Sequence, residues 1–247
     1  MAKRASPPDL ARAGGLYGRL RAAAEPEWTR YVDHEFVRAL GAGTLPEKCF
    51  RHYLQQDYLF LVHFARAYGL AAYKASDLAD MRAAGATLNG LVNTELSLHV
   101  RLCASWGMSE RALAAVPEAP ANMAYTRYVL ERGAAGDLLD LLVALAPCVV
   151  GYGEIARRLM ASRTVRLKGN PYREWLEAYA GPKYQEIAHG AVRQIERVGR
   201  ARLGASGASL ARHPRFTALA ATFREATRLE IGFWDMGLAP AGKKTRP

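Results

Sequence analysis

Cys148 lies in an apolar stretch of helical pattern, residues 141–155, directly after Pro147 and four residues before Tyr152. Proline in a helix interior removes a hydrogen bond and clashes with the preceding turn, at about 3 kcal/mol. Pro147 is therefore expected to kink the helix and loosen the backbone where the sulfur projects. Residues four apart share a helix face, which brings the Tyr152 phenol within reach of the thiol, to hydrogen-bond it or orient what it attacks. The plainer alternative is a buried structural cysteine, since unpaired cysteines are among the most buried residues.

Two acids stand in similar company. Asp57 shares a helix face with Phe60, Leu61 and Phe64, which puts a carboxylate among aromatic rings. A buried, unpaired carboxylate is expensive, so Asp57 calls for a purpose or a partner, and Arg51 and Arg66 are the simplest partners. Glu230 groups with Phe233 and Trp234; an acid against aromatic walls has its pKa pushed up, as a general acid/base requires. Trp234 by itself reads as core. Tyr125 and Tyr179 have the groups to hydrogen-bond a flat ligand, or are ordinary core tyrosines. Glu95 and His99, spaced i,i+4, offer half of a metal site, but no second helix repeats the pair, so no metal is expected.

The elements that must position these groups are helices. Apolar residues recur at three- and four-residue steps, and nothing alternates with period two over strand length. Helices are expected at 9–23, 26–41, 45–75, 77–106, 109–115, 119–134, 137–163, 171–179, 182–203 and 209–238. Thr44-Leu-Pro-Glu47 reads as a capping box with proline in the first turn, and Ser76, Ser109 and Asp137 as N-caps. The segment 204–209 reads as a flexible turn. No stretch has the length or polarity of an interdomain linker, and no internal repeat is visible. The expected fold is all-α, one helical domain over residues 1–247 with flexible tails at 1–8 and 239–247.

Composition bounds the function. Three cysteines (Cys49, Cys103, Cys148) make neither an even disulfide set nor a CxxC metal pattern, which fits a reducing compartment, so a cytoplasmic protein is expected. The start is basic but lacks the apolar stretch of a secretory signal. The longest apolar run, residues 141–151, contains Pro147 and is too short to span a bilayer; it reads as a core helix. Formal net charge is +11, yet the basic residues are scattered or at the ends, with no helix-turn-helix signature or basic groove with interleaved aromatics. Neither nucleic acid nor membrane is an expected partner.

Taken in order, these segments resemble the TenA (thiaminase II) family over about residues 16–237. The matching stretches are His34-Glu-Phe-Val37, Gly43-Thr-Leu45, Phe50 with Tyr53 and Gln56-Asp57-Tyr58, Glu95 with His99, Tyr125-Thr126, Ala146-Pro-Cys148 with Tyr152 and Glu154-Ile155, Trp175 with Tyr179, and Glu230 with Phe233-Trp-Asp235. Each is weak alone; the ordered set is specific.

The resemblance implies a haem-oxygenase-like bundle without haem, assembled as a homotetramer, and a reaction needing neither cofactor nor metal. That reaction is substitution at the methylene of a 4-amino-2-methylpyrimidine, whether in thiamine or in 4-amino-5-aminomethyl-2-methylpyrimidine. It also implies Cys148 as nucleophile, Glu230 as acid/base and Asp57 as the grip on the pyrimidine's amino group and ring nitrogen. Tyr125, Tyr152 and Tyr179 would line the pocket, so that all six residues share one cavity. Phe60 stands where many members carry a tyrosine, and Val149-Val150 is less aromatic than usual; both bear on specificity. Three rival functions stay open at this point: a cofactorless oxidase resembling pyrroloquinoline quinone synthase, a non-catalytic regulator supported only by net charge, and a protein that holds thiamine without cutting it.

Overall fold

The computed structural model describes residues 14–162 and 165–239. The expected helical residues 9–13, the N-terminal tail, the end of the helix expected at 137–163 and all but the first residue of the C-terminal tail lie outside that set. Among the described residues the chain is helical with no strand. The α-helices are α1 (Leu16–Ala23), α2 (Glu27–Val32), α3 (Glu35–Ala42), α4 (Glu47–Lys74), α5 (Leu78–Gly90), α6 (Leu96–Ala104), α7 (Glu110–Ala114), α8 (Pro120–Ala135), α9 (Leu138–Ala161), α10 (Arg173–Ala180), α11 (Pro182–Leu203) and α12 (Pro214–Leu238).

Helix α9 is the axis of the bundle. Asp137 starts it with a capping box, accepting from the Leu139 and Asp140 backbone N–H groups while Asp140 returns the bond. Apolar on nearly every face from Leu138 to Ala156, that stretch is buried almost throughout. Its neighbours are α8, α10, α11 and α12, while α4 packs against α5, α6, α8 and α12. Helix α9 is long and apolar enough to cross a membrane, but its most apolar 18-residue stretch, of mean hydropathy 1.8, is 89% buried inside the fold, where it serves as core. Glu154 ties α1 to α9, accepting from Arg21 at 2.9 Å and from the Trp28 indole at 3.2 Å.

Several boundaries differ from the sequence expectation. The segment 26–41 is two helices, because His34 leaves the helical conformation and its Nδ1 accepts from the Phe36 N–H, capping α3. Thr44 does not cap α4. Its hydroxyl donates to the Ala39 carbonyl beyond the left-handed Gly43 and so closes α3 instead. Asn170 covers the same helix end, its Nδ2 donating to the carbonyls of Leu40 and Gly41. The cap of α5 is Asp77, one residue after Ser76, accepting from the Asp80 N–H at 2.8 Å. The stretch 77–106 is interrupted by a π-helical turn, Leu91–Glu95, and 209–238 begins in a 3-10 turn, Gly207–Arg212, that takes in the second half of the expected flexible turn. Ser109 caps α7 as expected, and α11 has the expected bounds.

Gly151 lets another helix approach α9. A Cβ there would clash with the Tyr31 ring, whose hydroxyl donates to the Pro147 carbonyl at 3.1 Å. Gly151→Ala is expected to destabilise the fold by about 1–3 kcal/mol, the usual range for overpacking, measured as a lower urea midpoint.

Candidate active site

Helix α9 runs on through Pro147 without a break and delivers Cys148 to the wall of a cavity of about 660 Å³. α4 contributes Leu61 and Phe64 to that wall, α6 Leu98 and α11 Tyr184, while the π-helical turn contributes Glu95 and α10 Tyr179. Cys148 is 9% exposed and lies within electrostatic reach of the Glu230 carboxyl. Burial, then the charges of Glu230, Glu95 and Asp57, push its pKa well above the ordinary thiol value, so the resting group is neutral.

Glu230 comes from α12, whose inner face also buries Thr227, Phe233 and Trp234. Trp234 is core, stacked on Phe36 at 5.0 Å and Tyr31 at 6.3 Å. Glu230 is 1% exposed and so cut off from water. Burial raises its pKa to about 8 despite the hydrogen bond donated to Oε1 by the Tyr125 hydroxyl at 2.9 Å. Tyr125 is itself raised by burial and by Glu230, so it remains a donor. Phe60 packs its ring on Tyr125 at 5.1 Å.

Asp57 is buried in α4, and neither arginine proposed for it reaches it: Arg51 pairs with Glu47, and Arg66 lies on His63. Its Oδ2 instead accepts from the Tyr53 hydroxyl at 2.9 Å and meets His99 Nε2 at 2.7 Å. His99 Nδ1 lies 2.9 Å from the Glu95 carbonyl, so both ring nitrogens face acceptors. Burial alone would lower the His99 pKa; the Asp57 hydrogen bond and charge, with Glu95, outweigh it and raise it. A proton is thus held between α6 and α4.

Tyr152 does not bond the thiol. Its hydroxyl lies 3.5 Å from that of Tyr53, and its ring packs among Trp175, Tyr179 and Trp234. The phenol that supports the thiol's partner is Tyr125, on another helix. Tyr179 donates to Glu95 Oε1 at 2.7 Å.

Of the six residues expected in one cavity, Cys148 and Tyr179 line it. Asp57, Tyr125, Tyr152 and Glu230 are buried behind that wall, as is Phe60. They remain one electrostatic neighbourhood, because Asp57 and Glu230 both act on the Cys148 thiol. Three members have no place among the expected site residues: Glu95, His99 and Tyr53. The signal for each was present. Glu95 and His99 are spaced i,i+4, which suggested a metal pair, but the histidine serves Asp57. Tyr53 stands four residues before Asp57 on the same helix face.

The model of the TENA/THI-4/PQQC family matches residues 21–239. An aminopyrimidine aminohydrolase of Halalkalibacterium halodurans is 33% identical over 231 residues, 91% of this chain and 94% of that protein. The crystal structure of a protein described as a TenA family transcription regulator, from Silicibacter sp. TM1040, superposes with a TM-score of 0.86 at 48% identity, covering 92% of this chain and 98% of the other. A Shewanella denitrificans domain with a heme oxygenase-like fold superposes at 0.66 with 15% identity, over 98% of this chain and 99% of the other, a likeness of fold alone. Helix order, the ordered motifs and these likenesses agree: the chain belongs to the TENA/THI-4/PQQC family and has the haem-oxygenase-like fold.

Proposed function

We propose that this protein is a hydrolase of the thiaminase II type, replacing the group on the methylene of a 4-amino-2-methylpyrimidine with hydroxide. The substrate is thiamine or 4-amino-5-aminomethyl-2-methylpyrimidine, and the product is the pyrimidine alcohol used in thiamine salvage. The Cys148 thiol at a cavity wall, within electrostatic reach of the buried Glu230 carboxyl, carries this reading. The likeness to an aminopyrimidine aminohydrolase adds to it.

The chemistry divides among these groups. Glu230, when ionised, takes the thiol proton, and the thiolate adds to the pyrimidine ring. The ring's electrons then expel the substituent from the methylene, water adds there, and departure of the sulfur restores aromaticity. Asp57 accepts from the ring's amino group and fixes its register; because Asp57 lies behind the cavity wall, a ring that it grips sits deeper than the open cavity. The proton shared by His99 and Asp57 is available to a ring nitrogen, which makes the ring a better acceptor for sulfur. Tyr125 holds Glu230, and Tyr152 and Tyr179 supply aromatic walls. In this reading the protein works as a homotetramer; exposed Tyr73, Leu78 and Met81 near the junction of α4 and α5 are apolar surface for such contacts.

The test is release of the pyrimidine alcohol by the purified protein from thiamine and from the aminomethylpyrimidine. Turnover of at least one is expected. Turnover of neither would overturn the assignment.

A further inference from the structure

The cavity holds an acid that this mechanism does not use. Glu95 ends the π-helical turn Leu91–Glu95, an irregularity of the kind found mostly at functional sites. It lines the same cavity as Cys148. Oε1 accepts from Tyr179, which sets the direction of the group, while Oε2 takes no hydrogen bond among the described residues. Glu95 is also close enough to raise the Cys148 pKa. The other acids of the lining, Glu174 and Glu177, are exposed residues of α10, and Glu177 is paired with Arg173. Burial pushes the Glu95 pKa up, so its ionised form is short of solvation and gains from a cationic partner.

We propose that Glu95 is a specificity-determining residue that receives the positively charged substituent on the substrate's methylene, an ammonium or a thiazolium, in the cavity it shares with the thiol. This rests on the aminopyrimidine reading above and deepens it. The geometry gives Glu95 the three features such a group needs: a position on the Cys148 cavity, one oxygen anchored and one oxygen free. The neutral alcohol product carries no charge for it to meet, so the same carboxyl favours binding of substrate over product.

The test compares kcat/KM for the aminomethylpyrimidine with the inhibition constant of the pyrimidine alcohol, which replaces ammonium by hydroxyl. Glu95→Gln is expected to lower kcat/KM for the amine by about tenfold or more, mainly through KM, as loss of a buried charge pair does. Inhibition by the alcohol should stay within about twofold. Glu95→Asp, which keeps the charge on a shorter arm, should recover part of the preference, and it serves as the second variant if the glutamine protein folds poorly. Equal weakening of amine and alcohol would assign Glu95 a purely structural role, and no change in either would remove it from the site; both overturn the inference while leaving the hydrolase assignment intact. A wild type that turns over neither pyrimidine would overturn both.

Discussion

Cys148→Ala and Cys148→Ser are both expected to abolish release of the pyrimidine alcohol, with a fall of about three or more orders of magnitude in kcat. Alanine has nothing to add to the ring. Serine keeps the shape, but its hydroxyl is a far weaker acid than a thiol, and the surroundings already disfavour an anion at this position. Neither change touches the hydrogen bonds of α9 or removes much volume, so circular dichroism should report unchanged helical content. Full activity in the alanine variant would exclude the thiol as nucleophile. Full activity with serine alone would mean that position, rather than acidity, is what the residue supplies.

Glu230→Gln is expected to reduce kcat by roughly two or more orders of magnitude, the usual share of general acid/base catalysis. The same change should stabilise the fold, and the pH dependence ties the two effects together. The Glu230 pKa is raised to about 8 from 4.5. Between those values the native protein keeps this proton while the unfolded chain has lost it. Wild-type stability therefore falls as pH rises through this window, by up to about 1.4 kcal/mol per pH unit from this one group, and the loss is complete above about 8. Glutamine has no proton to lose and can still accept the Tyr125 hydrogen bond. The variant's advantage in melting temperature should grow from pH 5 to pH 8 and then level off. Wild-type kcat/KM should move the other way, rising with pH toward a plateau above about 8, because only the carboxylate accepts the thiol proton. A flat rate profile with unchanged kcat in the variant would take Glu230 out of the mechanism.

Much of the fold was legible because helix formation is local. The 3.6-residue apolar period placed α11 with the bounds observed, and Asp137 and Ser109 announced their helices because a cap bonds N–H groups two or three residues away. The misplacements share one cause, competition from groups distant in the chain or on the other side of a boundary. His34 breaks the segment 26–41 while its Nε2 lies 3.1 Å from Asp235 on α12, and Thr44 turns back to close α3 rather than opening α4. The π-helical turn has no such local sign: Leu91–Glu95 continues the apolar pattern, and only packing reveals the changed register.

For the site the division is sharper. The sequence by itself determined that a thiol sits after a proline in an apolar helix, that Asp57 and Glu230 each share a face with aromatic rings, and that all three belong to one family pattern. Side-chain type and helix face are local properties, so those conclusions needed no third dimension. Only the tertiary structure decided the partners: Glu230 brought near the thiol, Tyr125 rather than Tyr152 in support of Glu230, and His99 with Tyr53 on Asp57 instead of either arginine. It also decided that Cys148 and Tyr179 meet the open cavity while the acids lie behind it, with Glu95 brought to the front. Hydrogen bonds of about 3 Å between separate helices depend on how those helices are rotated and spaced in the assembled core, and periodicity along one strand of sequence carries no record of that.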